Sequence, residues 1–355
     1  PPTAADPVRR GRALVFPRDH GAHPGSRIEW WYVTGWLQRA GTSAAQGLIG
    51  FQITFFRSRT GLGEGLRSRW APRQLLFAHA ALTDVASATH QHDARLGRWK
   101  GEDPSGDPAA PTPRVRASLR DADLALHGWQ LRRLNAPARW QADIQARGFT
   151  LQLQMARTQP LLLQGEAGFS RKGPEEAQAS HYLSEPQLAV SGQLQREGRM
   201  QTVTGRAWLD QEWSDELLHP EAGGWDWIGM NLNDGSALTA FRLRRADGIA
   251  LWAGGSFRRA GQTQAQNFAP EAVRFEPGRR WRSPSSGGDY PMAWTVHTPA
   301  GRFSVNALLD AQELDSRSST GTVYWEGLSE LRDASGQRVG LGYLEMTGYA
   351  GRLVL

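Results

Sequence analysis

The chain has 355 residues, 41 basic and 35 acidic side chains for a formal charge of +6, and 15 Trp, 12 Phe and 6 Tyr with no cysteine. So many aromatics exclude a disordered chain, the missing thiols exclude disulfides, thiolate nucleophiles and thiolate metal sites, and the length predicts two domains of ordinary size. Only Lys100 and Lys172 are lysines, and the arginines are scattered among acids rather than gathered into a stripe, which argues against nucleic-acid binding.

Residues 1–27 are rich in Pro, Arg and Gly and predict an extended N-terminal arm packed on the first domain. The chain opens without an initiator Met, as a processed protein would, and the absence of cysteine fits an exported one. From Ile28 onward, short aromatic and β-branched runs separated by Gly-rich turns predict strands at 28–37, 48–56, 75–82, 114–120, 129–134, 140–146 and 149–156. In the last of these every second residue is apolar, the signature of a strand with one buried face. His90-Gln91-His92 falls in a polar, turn-like stretch, and 97–113 reads as an exposed loop.

A polar stretch at 164–186 predicts the connection between domains, dividing the chain into 28–183 and 184–355. Strand signals resume at 187–195 and 200–209, then at 225–232, 237–244, 249–257, 272–275, 292–297, 303–309, 322–328 and 341–348. Asn233-Asp234-Gly235-Ser236 predicts a tight hairpin. The best helical candidate is a short one over Leu209, Trp213 and Leu217. The halves share an echo: an acid beside aromatics (Glu29-Trp30-Trp31-Tyr32; Asp226-Trp227) precedes a strand ending in Phe-Arg (Phe56-Arg57; Phe241-Arg242). Related β domains in tandem explain it, and the even strand spacing predicts an all-β chain of sandwiches or small barrels able to enclose one apolar ligand.

No run approaches the roughly 20 apolar residues of a membrane helix; contact with a membrane surface stays open. The chain carries no Gly-x-Ser-x-Gly, no His-Glu-x-x-His and no phosphate-cradling glycine loop, so a serine-elbow hydrolase, a zincin-type metal site and a nucleotide cofactor all lack their motifs. What stands out is Trp208-Leu209-Asp210-Gln211-Glu212-Trp213 followed by Gly224-Trp225-Asp226-Trp227, three carboxylates among four indoles. A carboxylate against aromatic surface loses hydration, which raises its pKa and suits it to donate a proton near neutrality. The same residue types also serve as core indoles and ion-paired acids. By strand alternation Asp226 points away from Trp225 and Trp227, into a barrel lumen or outside it.

Several stretches together resemble the AttH and carotenoid 1,2-hydratase (CrtC) family, which includes kievitone hydratase: His20-Gly21-Ala22-His23 leading to Glu29-Trp30-Trp31-Tyr32, then His181-Tyr182, Ala207 to Trp213, Gly224 to Trp227, and Gly342-Tyr343-Leu344-Glu345-Met346-Thr347-Gly348-Tyr349. The resemblance implies two tandem lipocalin-like antiparallel β-barrels with a site near their interface and export to the periplasm or medium; the chemistry expected here needs no metal or organic cofactor. The resemblance also implies an acid that protonates an isoprenoid double bond so that water traps the cation, with Asp210 at the acid's position and His181 at that of a functional histidine. Leu183 stands where the carotenoid enzyme has Trp, and Trp208 where it has Tyr.

The expected site is therefore Asp210 as proton donor with His181 beside it, a hydrophobic isoprenoid or lipid-like substrate held by Tyr182, Leu183, Trp208, Trp213, Trp225 and Trp227, and Glu29, Glu212 and Asp226 in support. Indole faces at those positions would stabilise a cation. A lipocalin-like carrier without catalysis, and a hydrolase using the same carboxylates, are the competing readings.

Overall fold

The computed structural model describes residues 7–62, 73–103, 112–215 and 218–351. It is all-β, with every strand pairing antiparallel, and its strands divide between two large barrel-like sheets and one small ribbon. The alternation read at 149–156 is the observed burial: Phe149, Leu151, Leu153 and Met155 are buried while Gln152, Gln154 and Ala156 are exposed.

The first sheet is centred on Ile28–Arg39, Arg199–Ser214 and Ala179–Arg196, with Leu48–Arg59, Gln74–Asp84 and Thr89–Trp99 extending it on one side and Phe149–Ala156, Ala138–Ala146, Trp129–Asn135, Asp123–Leu126 and Val115–Ala117 on the other. Its two edges approach each other, so the barrel nearly closes around Trp31, Val33, Phe51, Trp129, Trp140 and Leu209. The second sheet is centred on Ala237–Arg244, Gly224–Leu232, Arg338–Met346 and Thr322–Arg332, around Ile228, Met230, Trp294, Trp325 and Leu344.

The division expected at 183/184 falls inside a strand; the change of sheet comes later, between Ser214 and Gly224. Pro186 obscured that strand in the sequence. It sits at a bulge where the register slips between Glu185 and Leu188, one of the few places a strand admits proline. Gln187, with φ +58, then reaches the second sheet: its N–H donates to Asn231 Oδ1 at 2.9 Å and its side chain to the carbonyls of Leu232 and Ser236.

Three other local expectations change. Leu209 and Trp213 lie in a strand that runs to Ser214 instead of a helix, with Leu217 outside the described residues. His90 and His92 lie in the strand Thr89–Trp99, in which only Asp93 and Trp99 are buried and the other residues are half-buried or exposed, so it lacks a run of apolar residues. The loop read at 97–113 begins within that strand, and 104–111 lie outside the described residues. The hairpin at 233–236 forms as expected, with Gly235 at φ +90 and Asn231 opposite Ala237.

The described part of the arm packs against the first barrel. Residues 19–26 are buried, the Ala22 N–H donates to Ser118 O, and Trp31 Nε1 donates to His20 O.

The internal echo acquires a physical meaning. Glu29 and Arg57 are directly opposed across the first hairpin and ion-paired at 3.1 Å, and Asp226 and Arg242 are directly opposed across the equivalent hairpin and ion-paired at 2.7 Å. Both pairs lie on the interior side of their own barrel, with Glu29, Arg57 and Asp226 buried and Arg242 half-buried. The neighbouring aromatics, Trp30 opposite Phe56 and Trp227 opposite Phe241, point outward from the two barrels into the space between them.

Candidate active site

The outer faces of the two sheets meet in an aromatic layer of Tyr32, Trp208, Trp227, Phe241, Leu243, Leu328 and Tyr343. Burying each large apolar side chain contributes roughly 1.5–3 kcal/mol, so this layer holds the barrels together. Within it lies a cavity of about 280 Å³, walled by Trp30, Phe56, Phe77, Trp225, Trp227 and Phe241 and floored by polar groups from both sheets. That approaches the lower end of small-molecule sites, roughly 300–1,000 Å³.

Asp210 enters the cavity from the middle strand of the first sheet, directly between Tyr32 on one neighbouring strand and Ser184 on the other. Its Oδ1 accepts from Ser184 Oγ at 2.5 Å and Trp208 Nε1 at 2.7 Å, and its Oδ2 from the Tyr182 hydroxyl at 2.7 Å. Trp227 Nε1 donates in turn to the Tyr182 oxygen at 3.2 Å. Burial pushes the Asp210 carboxyl up to about 7, against the three donors that favour the charged form, and the nearby Glu212 adds to the rise. With both Oδ1 lone pairs engaged, Oδ2 is the oxygen with capacity to carry a proton.

Glu212, two residues on and so on the same face, lines the cavity too. It is held by Lys172 Nζ at 3.0 Å and by the Ser180 hydroxyl, and the ammonium lies 4.5 Å from the Tyr182 ring centroid and 4.1 Å from that of Phe241. From the second sheet come Glu326 and Glu345, directly opposite one another across their strand pair. Burial pushes Glu345 up to about 8 despite a 2.7 Å bond from Trp225 Nε1, and burial raises Glu326 as well, with Glu345 adding to it.

The expected residues thus divide. Asp210, Tyr182, Glu212, Trp225 and Trp227 line one cavity, with Trp208 immediately behind. His181, Leu183, Trp213 and Glu29 do not reach it. His181 is opposite Trp213, which is opposite Glu29 on its other side, and Leu183 is opposite Gln211; these positions alternate with the cavity-facing ones and point into the first barrel. The expected Asp210–His181 contact is therefore not made. His181 packs at 5.4 Å from the Trp213 ring, its Nε2 meets the Arg9 N–H at 3.5 Å, and burial first, with Arg12 adding, pushes it down to about 4.

Glu29 is structural. His23 Nδ1 at 2.7 Å, the His23 N–H at 2.8 Å and Arg57 Nε at 3.1 Å surround it, and their attraction overcomes burial to hold its carboxyl below the ordinary range. Asp226 is equally enclosed, accepting from Arg242, Arg244 and the Tyr349 hydroxyl inside the second barrel, which settles its direction.

Sequence reading missed Lys172, Ser184, Glu326 and Tyr32. Two signals were present: Lys172 is one of two lysines, and Glu326 follows Trp325 as Asp226 follows Trp225. Among the described residues no group of three or more His, Asp or Glu is arranged to hold a metal ion.

Comparison with known proteins places this geometry in context. No curated protein sequence matches the chain. A solved structure of a candidate AttH from Nitrosomonas europaea is 45% identical, covers 97% of this chain and 99% of its own, and superposes with a TM-score of 0.85. Kievitone hydratase from Nectria haematococca shares the fold at 13% identity, with 99% and 98% covered and a TM-score of 0.69. The AttH-like family profile matches residues 7–349, and the chain belongs to that family.

Proposed function

We propose that the protein is a hydratase-type enzyme that adds water to, or removes it from, a hydrophobic isoprenoid or lipid-like molecule in the cavity between the barrels, with Asp210 as the proton donor. The observation that carries this reading is a buried carboxyl near pKa 7 facing an apolar, indole-walled cavity. An unactivated double bond is protonated only by an acid kept neutral in a dry site and held within reach of the carbon.

In the hydration direction the Asp210 proton passes from Oδ2 to the alkene carbon, leaving a carboxylate and a carbocation. The three donors on Asp210 then stabilise the new carboxylate, and Trp30, Trp225 and Trp227, which line the cavity, offer indole rings to the cation. Water bonds to the cation and its proton returns to Asp210, so that alkene and water become alcohol. Dehydration is the reverse. Membership of the AttH-like family and the shared fold with kievitone hydratase support this reaction class.

The test is Asp210→Asn, assayed against a panel of isoprenoid alkenes and tertiary alcohols in labelled water. Loss of turnover by about 10²–10⁴-fold with ligand binding retained supports the assignment. A wild-type protein that binds these molecules and incorporates no label is a carrier, and the enzyme reading falls.

A further inference from the structure

The polar groups of the cavity are unequally satisfied. On the first sheet, Asp210 holds three hydrogen bonds and Glu212 is paired with Lys172 and Ser180. On the second sheet, Glu345 Oε1 takes the Trp225 N–H, but Glu326 Oε2 is buried with no hydrogen-bond partner in a residue only 4% exposed. Tyr32, a residue 5% exposed, lines the same cavity, and its buried hydroxyl is also without a partner. The two belong to one neighbourhood, since Glu326 is the largest charge acting on the Tyr32 phenol.

A buried carboxyl oxygen and a buried phenol, both unpartnered, carry a desolvation cost that a ligand supplying one donor and one acceptor removes. A hydroxyl group supplies both. Two carboxyls side by side on adjacent strands resist ionising together, and burial adds to that resistance, so the station suits an uncharged group better than a cation. Elsewhere in the cavity, Trp30, Phe56, Phe77, Phe241 and Leu243 present apolar surface to a hydrocarbon body.

We propose that Glu326, backed by Glu345 and facing Tyr32, anchors an uncharged hydroxyl group of the ligand, so that the cavity takes an apolar alcohol with its hydroxyl on the second barrel and its hydrocarbon body towards Asp210. The ligand hydroxyl donates to Glu326 Oε2 and accepts from Tyr32. This rests on the reading of the cavity as a hydrophobic-molecule site and adds where the molecule's oxygen lies.

The test is titration of the whole protein with geraniol, with its hydrocarbon counterpart myrcene, and with geranylamine at pH 7, followed by calorimetry and by quenching of the cavity indoles. Wild type is expected to bind geraniol about tenfold more tightly than myrcene, within the net value of its two hydrogen bonds, and more tightly than geranylamine. Glu326→Leu removes the preference by weakening geraniol alone, and Tyr32→Phe, which deletes one oxygen from a packed ring, halves the advantage or more. Glu326→Gln, whose amide still accepts, retains it, and so does Asp210→Asn. Equal binding of geraniol and myrcene, no effect of either substitution, or a preference for the amine overturns the anchor while leaving the role of Asp210 intact. Failure of all three probes to bind overturns the anchor and the hydrophobic-site reading together.

Discussion

Asp210 and His181 sit on neighbouring, directly paired strands and face opposite sides of one sheet. Asp210 is opposite Ser184 and points into the cavity between barrels, while His181 is opposite Trp213 and points into the first barrel. The resemblance to the hydratases put both residues in one site; the pleat separates them.

Replacing His181 should accordingly be a stability defect with little chemical signature. The imidazole is buried and held neutral, its pKa pushed down to about 4. Its folded value lies below its unfolded one, so the neutral form is the one that fits, and its contribution is lost as pH falls from about 6.5 to about 4. His181→Gln should flatten that acid-side loss in thermal melts taken across the window. Turnover of the folded fraction should stay within about threefold of wild type. A hundredfold fall in turnover with an unchanged melt would put His181 back in the chemistry.

Asp210 has the opposite sign. Its folded pKa of about 7 exceeds the ordinary 3.8, so the protonated form is the stable one, and stability is lost as pH rises from about 4 through about 7. At about 1.4 kcal/mol per tenfold change in proton affinity, that displacement amounts to up to about 4 kcal/mol. Asp210→Asn should therefore melt nearer to wild type at pH 4 and gain on it towards pH 7, with no further gain above. The same titration should govern the rate: hydration falls as pH rises through about 7, and a rate flat from pH 6 to 8 would remove Asp210 as the proton donor.

The sequence carried most of the strands, the hairpin at 233–236 and the acid among indoles, because alternation, Asp-Gly turns and composition are local signals. Which side of a sheet a residue faces needs the strand to be recognised first. Once Arg199–Ser214 is a strand, Trp208, Asp210 and Glu212 fall on one face and Trp213 on the other; a short apolar spacing at 209, 213 and 217 suggested a helix and hid this. Glu326 meets Glu345, and Lys172 meets Glu212, only through register and sheet packing, which no stretch of sequence displays. The echo of Glu29 and Asp226 was legible, but its meaning as two interior acid–arginine pairs required the pairing of each hairpin.

Lys172 and Glu212 form an ion pair of which 6% and 7% of the side chains remain exposed. Removing one partner strands the other charge in an aromatic pocket, so Lys172→Met should cost about 3–5 kcal/mol in urea unfolding. Adding Glu212→Gln should recover much of that loss, because the uncompensated carboxylate is then gone. Additive losses in the double variant would mean that the two side chains act separately.

Gly229 faces the same aromatic layer, and a β-carbon there would collide with the Trp227 ring and lie 3.3 Å from Trp208 Cδ2. Trp227 donates to Tyr182 and Tyr182 to Asp210, so Gly229→Ala should displace an indole that indirectly positions the acid. Gly254 offers the control: its β-carbon would lie 2.8 Å from Phe241 Cζ, which walls the cavity but has no hydrogen-bonded path to Asp210. Both substitutions overpack and should cost about 1–3 kcal/mol of stability. Gly254→Ala should weaken ligand binding and leave the midpoint of the pH–rate profile in place. Gly229→Ala should weaken binding and also shift that midpoint, since Asp210 keeps its burial while the donor that opposes it is disturbed. Identical profiles in the two variants would show that Trp227 shapes the cavity without tuning the proton.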